Sequence, residues 1–528
     1  MKIVTTMVVF VVMIFISLKS FSQQSAVFQI KYKLPTISSP FGICESADNG
    51  ILITGVFVDS SNSSVAFVLK TNFEGDIEWI KKYSSDQGII HTRDIQLTSD
   101  SGFVLIGWIE FSNFDADGFL LKADQEGNIL WAKQIGDSTS AIYFRGKQTS
   151  DLGFILSGER GDGGTKAYIA KTDSVGNLLW SKVYGFGQNK DVGDDVIEDA
   201  NGDFVMAGRG TTGTIPDGYL IKTDQNGNAI WKKTYGDQGY NSDEFYSLAL
   251  TSDGGYIMTG YSNIYNVTPQ HTSLVKTDSG GNLLWTKVFQ IGYFSEGYYV
   301  TETSDKGFVI LGAKSDTTNL GQFFMIKTDS AGILEWQREY GTDLNEDLSD
   351  GFATHDGGYL LTGSSSYSSA TDIYVIKTDS SGFSGCEEIE PSVNEIFQKV
   401  IVGSYGDESS YGTSTTVNCA ITDLNIIDSA YCVIVDGIEP NYFYPNSIDI
   451  FPNPVQNLLT INLLSPSAPA SVGTTVVYDV AGKKIVLPTT YSNNKAELTT
   501  TTLPNGIYLL QIINNKTGMS EVGKFVKE

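Results

Sequence analysis

The side chains able to do chemistry are few and scattered. The 528-residue chain has three histidines, His91, His271 and His355. No two of them lie at the short spacing that brings imidazoles to one metal ion, so the sequence offers no zinc site. Its four cysteines, Cys44, Cys386, Cys419 and Cys432, include no Cys-x-x-Cys pair for metal or redox work. No Gly-x-Ser-x-Gly elbow marks a serine nucleophile. A carboxylate pair for glycoside cleavage would leave no local signature. Asp115-Ala116-Asp117-Gly118 is the nearest approach to a calcium loop, but it stops short of the Asp-x-Asp-x-Asp-Gly pattern and reads as a turn. The sequence therefore names no catalytic, cofactor-binding or metal-binding residue, and no cofactor is expected.

The informative pattern is a repeat. A unit that in most copies reads Asp-x-Gly-aromatic, three residues and a glycine recurs seven times, ending at Gly55, Gly107, Gly158, Gly208, Gly260, Gly312 and Gly363. A second half, Lys-Thr-Asp-x-x-Gly-Asn-x-x-Trp, places its lysines at Lys70, Lys122, Lys171, Lys222, Lys276, Lys327 and Lys377. A period near 51 residues marks a propeller or solenoid, because one such unit cannot bury its own faces. Runs such as GYIMTG, SLVKTD and LLWTKVF are β-branched and aromatic, bounded by Gly, Asn and Asp. Four short strands per unit predict an all-β fold, a seven-bladed β-propeller with one sheet per blade.

The motif tryptophan is present six times, at Trp79, Trp131, Trp180, Trp231, Trp285 and Trp336. The seventh unit stops after Lys377-Thr378-Asp379, while the N-terminus carries a spare strand, with Phe28 and Tyr32 each 51 residues ahead of Trp79 and Tyr83. That strand is expected to complete the last blade and remove its open edge. The tryptophans could be a ligand-stacking set. Packing between neighbouring sheets is the simpler reading, since packing must recur in every unit. Burying one Trp removes roughly 200 Å² from water, about 5 kcal/mol gross. The Asp-x-x-Gly-Asn-x-x-Trp segment resembles the tryptophan-docking motif of quinoprotein propellers, one residue shorter between Asp and Gly. That resemblance implies the architecture and makes a quinoprotein-like oxidoreductase an alternative function.

Acidic residues outnumber basic ones by 61 to 35, a net charge of −26. No basic patch is left to meet phosphates, which excludes nucleic acid as a partner. Acids such as Asp191, Asp194, Asp195, Asp243, Glu244, Asp343, Glu346 and Asp347 read as turn and inter-blade residues. They could bind or steer cations, or simply solvate the surface.

Taken in order, residues 1–23 read as a secretory signal peptide: Lys2, an apolar run from Ile3 to Leu18, then Ser20-Phe21-Ser22. No transmembrane segment is expected once it is removed. Residues 24–385 hold the repeats, and 386–446 read as a Ser/Thr/Gly-rich linker with at most a few β segments. Export permits disulfides, and a bridge between two of Cys386, Cys419 and Cys432 is expected, although spacing does not choose the pair. Residues 447–528 form a separate small β-sandwich. Its ordered motifs are Phe451-Pro452-Asn453-Pro454, Val476-Val477-Tyr478-Asp479, Leu503-Pro504-Asn505-Gly506-Ile507-Tyr508 and Gly523-Lys524-Phe525. This segment resembles the type A C-terminal sorting domain of the type IX secretion system of Bacteroidetes. The resemblance implies the secretion machinery as a partner, a secreted or outer-membrane cell-surface location, and a sorting signal in Pro452, Asn453, Pro454, Gly506, Tyr508, Gly523, Lys524 and Phe525. The expected function is a non-catalytic binding or adhesion module for a glycan or surface protein, with the site in the loops of one face or at the channel mouth. A polysaccharide-acting enzyme is the other alternative.

Overall fold

The computed structural model describes the chain from Ala26 to Lys527, apart from stretches of one to twelve residues at loop tips and between segments. The predicted signal peptide lies outside the described residues. Every regular element is a strand, in keeping with the all-β reading. No helix among the described residues is long and apolar enough to cross a membrane.

Seven antiparallel sheets take up the repeats. The second sheet shows the pattern: Ile89–Leu97, Phe103–Glu110, Ala116–Ala123 and Ile129–Gly136 pair in chain order. The supposed turn at Asp115–Gly118 thus opens the third strand of that sheet, and Asp117 is buried within it. The N-terminal strand Ala26–Lys33 pairs with Ala370–Thr378, the third strand of the seventh sheet, as its spacing predicted.

The middle strands read as continuous apolar runs because both sheet faces are covered. In Phe103-Val104-Leu105-Ile106, the odd residues join the core shared with the first sheet, and the even ones the core shared with the third. Seven such cores exist, each shared by two consecutive sheets. The last is shared by the seventh and the first, through Phe28, Ile30, Leu360 and Val375 against Ile51, Ile53, Phe67 and Leu69.

Each tryptophan serves these interfaces. Trp131 meets Phe154 at 5.8 Å, Trp180 meets Phe204 at 5.9 Å, and Trp285 meets Phe308 at 5.8 Å between ring centres. The ring lies on the turn glycine of the next repeat. A Cβ on Gly227, whose φ is +75°, would stand 2.7 Å from the Trp180 ring. Where a tyrosine stands four residues after the docked ring, it donates its hydroxyl to the same glycine's carbonyl, as Tyr184 does to Gly227 at 2.6 Å and Tyr32 to Gly75 at 2.6 Å; Ile135 and Phe289 take that place after Trp131 and Trp285. Packing is what the tryptophans do here, not ligand stacking.

The repeat lysines are buried, between 3 and 8% exposed, and a buried cation needs a partner. Six have one in the Asp-x-Gly turn, as Lys70 pairs with Asp48 at 3.0 Å, Lys171 with Asp151 at 2.8 Å, and Lys276 with Asp253 at 2.9 Å; Lys222 takes Asp199 instead, at 2.6 Å. His355 stands where four other turns have serine, and it keeps the task that Ser150 and Ser252 perform there. Its Nδ1 lies 2.7 Å from Glu45 of the next sheet, much as the Ser252 hydroxyl donates to Glu302 at 2.9 Å.

The segment expected to be a linker adds edge strands instead. Val393–Ile396, Ile401–Gly403, Glu408–Ser410, Thr413–Thr416, Cys419–Asp423 and Ile427–Val435 pair antiparallel with the last strands of the fifth, fourth, third, second, first and seventh sheets, in that order. Composition hid them because Ser, Thr and Gly reach an edge ladder through backbone groups alone. Cys386 is disulfide-bonded and Cys44 is a free buried thiol. The bridge is therefore one between two of the three later cysteines, as expected.

The C-terminal unit has two four-stranded antiparallel sheets. They share a core that includes Val455, Leu459, Leu498, Leu510 and Phe525.

Candidate functional site

The site is built from one irregularity repeated seven times. In each sheet the first strand loses register with the second at a single residue, a β-bulge. The residues passed over are Phe41, Arg93, Phe144, Asp194, Tyr246, Tyr298 and Ser349, each 14 positions ahead of the repeat's ladder glycine. A bulge turns one side chain out of the alternation and re-aims it. All seven line one cavity of about 380 Å³, with Arg145, Arg209, Asp347 and Leu348.

The residue after the bulge anchors it. Asp94 accepts from the Gly146 amide at 3.0 Å, Asp195 from Leu248 at 2.9 Å, and Asp350 from Ile43 at 3.1 Å. Each bond joins one first strand to the first strand of the next sheet. The acids read from sequence as turn residues are thus divided. Asp194, Asp195, Asp243, Glu244, Glu346 and Asp347 all lie on first strands, where they pin sheets together or face the cavity.

Charges in the cavity are mostly paired. Arg145 meets Asp350 at 2.8 Å and Asp94 at 3.8 Å. Arg209 meets Glu244 at 2.9 Å and Asp194 at 3.7 Å. Tyr246 donates its hydroxyl to Glu244 at 3.1 Å and Tyr298 to Glu296 at 2.9 Å, and the two rings stack with centres 5.6 Å apart. Burial raises the Asp194 carboxyl to about 7. Arg209 opposes that shift, and Glu244 and Glu159 reinforce it. Burial likewise lifts Glu296 to about 7 against the pull of the Tyr298 hydrogen bond. Such a chamber can stack a flat ring, accept hydrogen bonds and meet an anion. Among the described residues no three His, Cys, Asp or Glu side chains converge as a metal ion would require.

None of these positions was singled out from the sequence as a site, although Asp194 and Asp347 were noted as acids. The signal was a fixed offset at which residue type varies while its neighbours repeat. His91 lies beside the ring, stacked on Trp108 at 4.9 Å and 3.1 Å from Glu110. His271 is buried in the fifth sheet and His355 sits in a turn. The three histidines do not meet.

The C-terminal unit carries the other candidate set. Tyr508 and Phe525 stack in its core at 5.5 Å, and the Tyr508 hydroxyl donates to the Pro504 carbonyl at 2.9 Å. Gly506 opens the strand that holds Tyr508, and Gly523 pairs with Leu510 on it. Lys524 and Pro454 are exposed, while Pro452 and Asn453 lie outside the described residues. Residues 449–528 match the family model of the secretion system C-terminal sorting domain. They are a type IX sorting domain. The sorting domain marks a secreted protein of a type commonly attached to the cell surface, and it places the source among Bacteroidetes.

No curated protein matches the chain. Among solved structures, Sqt1 from Chaetomium thermophilum is similar at 11% identity with a TM-score of 0.40, over 65% of this chain and 82% of that one. PorZ, described as an essential surface component of the type IX secretion system of Porphyromonas gingivalis, is similar at 11% identity with a TM-score of 0.29, over 93% and 70%.

Proposed function

We propose that the seven sheets form a closed seven-bladed β-propeller that acts, after export, as a non-catalytic binding or adhesion module. In this reading residues 1–23 are the signal peptide, 24–385 the blades, 386–446 an edging of the blades rather than a free linker, and 447–528 the sorting domain. Pro452, Asn453, Pro454, Gly506, Tyr508, Gly523, Lys524 and Phe525 would carry the signal that the type IX machinery reads.

One observation supports the binding role above others. The framework positions repeat in nearly every sheet, whereas the seven bulged residues are two phenylalanines, two tyrosines, an arginine, an aspartate and a serine around one cavity. A ring needed only for packing has no reason to differ where its surroundings are alike. A glycan or a surface protein would enter the cavity and meet the Tyr246–Tyr298 stack. The test is a glycan array and calorimetry on the full chain, with Tyr246→Ala and Tyr298→Ala compared with wild type. Loss of at least ten-fold in affinity is expected in variants that stay folded, with a lowered melting temperature from the lost packing and hydrogen bond. Ligands whose binding ignores both substitutions would move the site elsewhere.

A polysaccharide-cleaving activity is the second reading. Asp194 in the cavity wall and Glu296, bonded to the wall residue Tyr298, are both raised to about 7 and are the carboxylates it would use. Release of reducing ends by wild type, abolished in Asp194→Asn and Glu296→Gln, would favour it.

A further inference from the structure

Three arginines reach the cavity, and one differs from the others. Arg145 and Arg209 are each satisfied by carboxylates, at 2.8 and 2.9 Å. Arg93 has no carboxylate partner among the described residues. Its guanidinium lies 4.7 Å above the Phe41 ring, 5.8 Å from Phe144 and 5.9 Å from Trp108. Ring faces hold a cation in place but accept little from its five N–H donors. Burial and the neighbouring Arg145 and Arg209 charges lower its hold on its proton, and the Asp194 carboxylate, beyond ion-pair distance, only partly offsets them. An unpaired cation in such a place costs stability. The three rings fix its plane and leave its donors for something absent from the protein.

The rest of the cavity limits what that is. The bulges break the ladder of every first strand, so an extended peptide finds no continuous edge to join. Recognition must come through side chains. The stacked tyrosines offer a flat apolar surface. Glu296 stands outside the cavity lining and holds the Tyr298 hydroxyl, while Asp347 faces the cavity with no cation beside it among the described residues. Carboxylates accept hydroxyl protons.

We propose that the cavity binds an anionic sugar, a pyranose bearing a carboxylate or a sulfate, with the anion on Arg93, the ring against Tyr246 and Tyr298, and a hydroxyl donated to Asp347. The assignment rests on the binding role proposed above. A planar guanidinium suits either anion, because both present two oxygens to its fork.

Calorimetry on the full chain tests it with three tetrasaccharides: an oligogalacturonate, a sulfated galactan and an uncharged galactan. The two charged probes separate carboxylate from sulfate. At least one is expected to bind ten-fold or more tighter than the uncharged probe. Arg93→Met, which keeps the stem over the rings, should lose about 10- to 100-fold for that probe and little for the uncharged one. Arg93→Lys should recover only part, and it stands in if the Met variant fails to fold. Equal affinity for charged and uncharged probes, or Arg93→Met and Arg93→Lys both within two-fold of wild type, would overturn the anionic ligand and leave the binding role standing. Failure of all three probes to bind the wild type would overturn the anionic sugar and leave the binding role to the glycan array and the tyrosine variants.

Discussion

At the scale of single residues, the fourth sheet shows how the framework tolerates change. Elsewhere a hydroxyl two positions before the aspartate, Ser46 in the first sheet and threonine in the others, donates to it, as Thr251 does to Asp253 at 2.5 Å, and the aspartate holds the lysine. In the fourth sheet Asn201 replaces that aspartate and Asp199 replaces the threonine. Asp199 takes the lysine itself, 2.6 Å from Lys222, with Asp203 at 3.3 Å. The charge has moved two residues and the pair survives. Asp199→Thr alone should therefore destabilise by about 1–3 kcal/mol, because Lys222 keeps only the longer contact. Adding Asn201→Asp should restore most of that loss. Chemical denaturation of both variants reads the difference, and equal stability of the two would contradict the exchange.

The same carboxylates predict a pH profile. Burial pushes Asp151 and Asp253 up, but the lysine, threonine and glycine-amide hydrogen bonds outweigh it and hold each at about 2. A lowered folded pKa gives stability that is present above the unfolded value near 4 and lost as pH falls through 2. Asp194 and Glu296, raised to about 7, act oppositely. Their preference for the protonated form favours folding below about 4 and fades as pH climbs through 7. Melting temperature should peak near pH 4–5 and fall toward pH 8. Asp194→Asn with Glu296→Gln should flatten the upper fall and leave the acid limb unchanged.

Among the elements, the strands and their turns were legible because each carries several agreeing signals. Apolar runs give the middle strands, and Gly with Asx residues gives the turns. The Trp–Gly docking explains why the turn glycine is needed twice, once for its φ and once for space. Gly254→Ala separates the two needs. Its φ is +82° but nothing lies within 4 Å of the added Cβ, so it should cost about 1 kcal/mol. Gly227→Ala adds a clash with Trp180 to the same strain and should cost about 2–4 kcal/mol. Similar losses in urea unfolding would mean the docking contributes little. The bulges stayed hidden in the sequence for a physical reason. One extra residue changes neither composition nor average alternation, and the residue it turns outward is free to vary. The short edge strands stayed hidden because backbone pairing needs no particular side chain.

For the whole molecule, the order of those edge strands matters most. They run from the fifth sheet back to the first and on to the seventh, against the direction of the repeats. The sixth sheet alone keeps four strands among the described residues. Its last strand, Leu334–Tyr340, carries Glu335, Arg338 and Glu339, charges that discourage strand addition. Cys386 stands at the end of the seventh sheet's turn, two residues after Ser384, which accepts from Gln29 at 2.8 Å. Gln29 pairs in register with Cys432 on the final edge strand. A bridge from Cys386 to Cys432 would close a loop holding five of the six edge strands and tie both its ends to one sheet. Closing a loop of that length restricts the unfolded chain by about 4 kcal/mol. Reduction should therefore lower stability by up to that amount and raise amide exchange in the outer strands Ile129–Gly136, Leu178–Tyr184 and Leu283–Ile291. Exchange in Leu334–Tyr340, which has no edge strand to lose, should stay as it was. Cys432→Ser should reproduce the effect of reduction, and Cys419→Ser should not. The reverse result for the two variants would put the bridge at Cys419 instead, closing a shorter loop that leaves the seventh sheet's edge strand outside it.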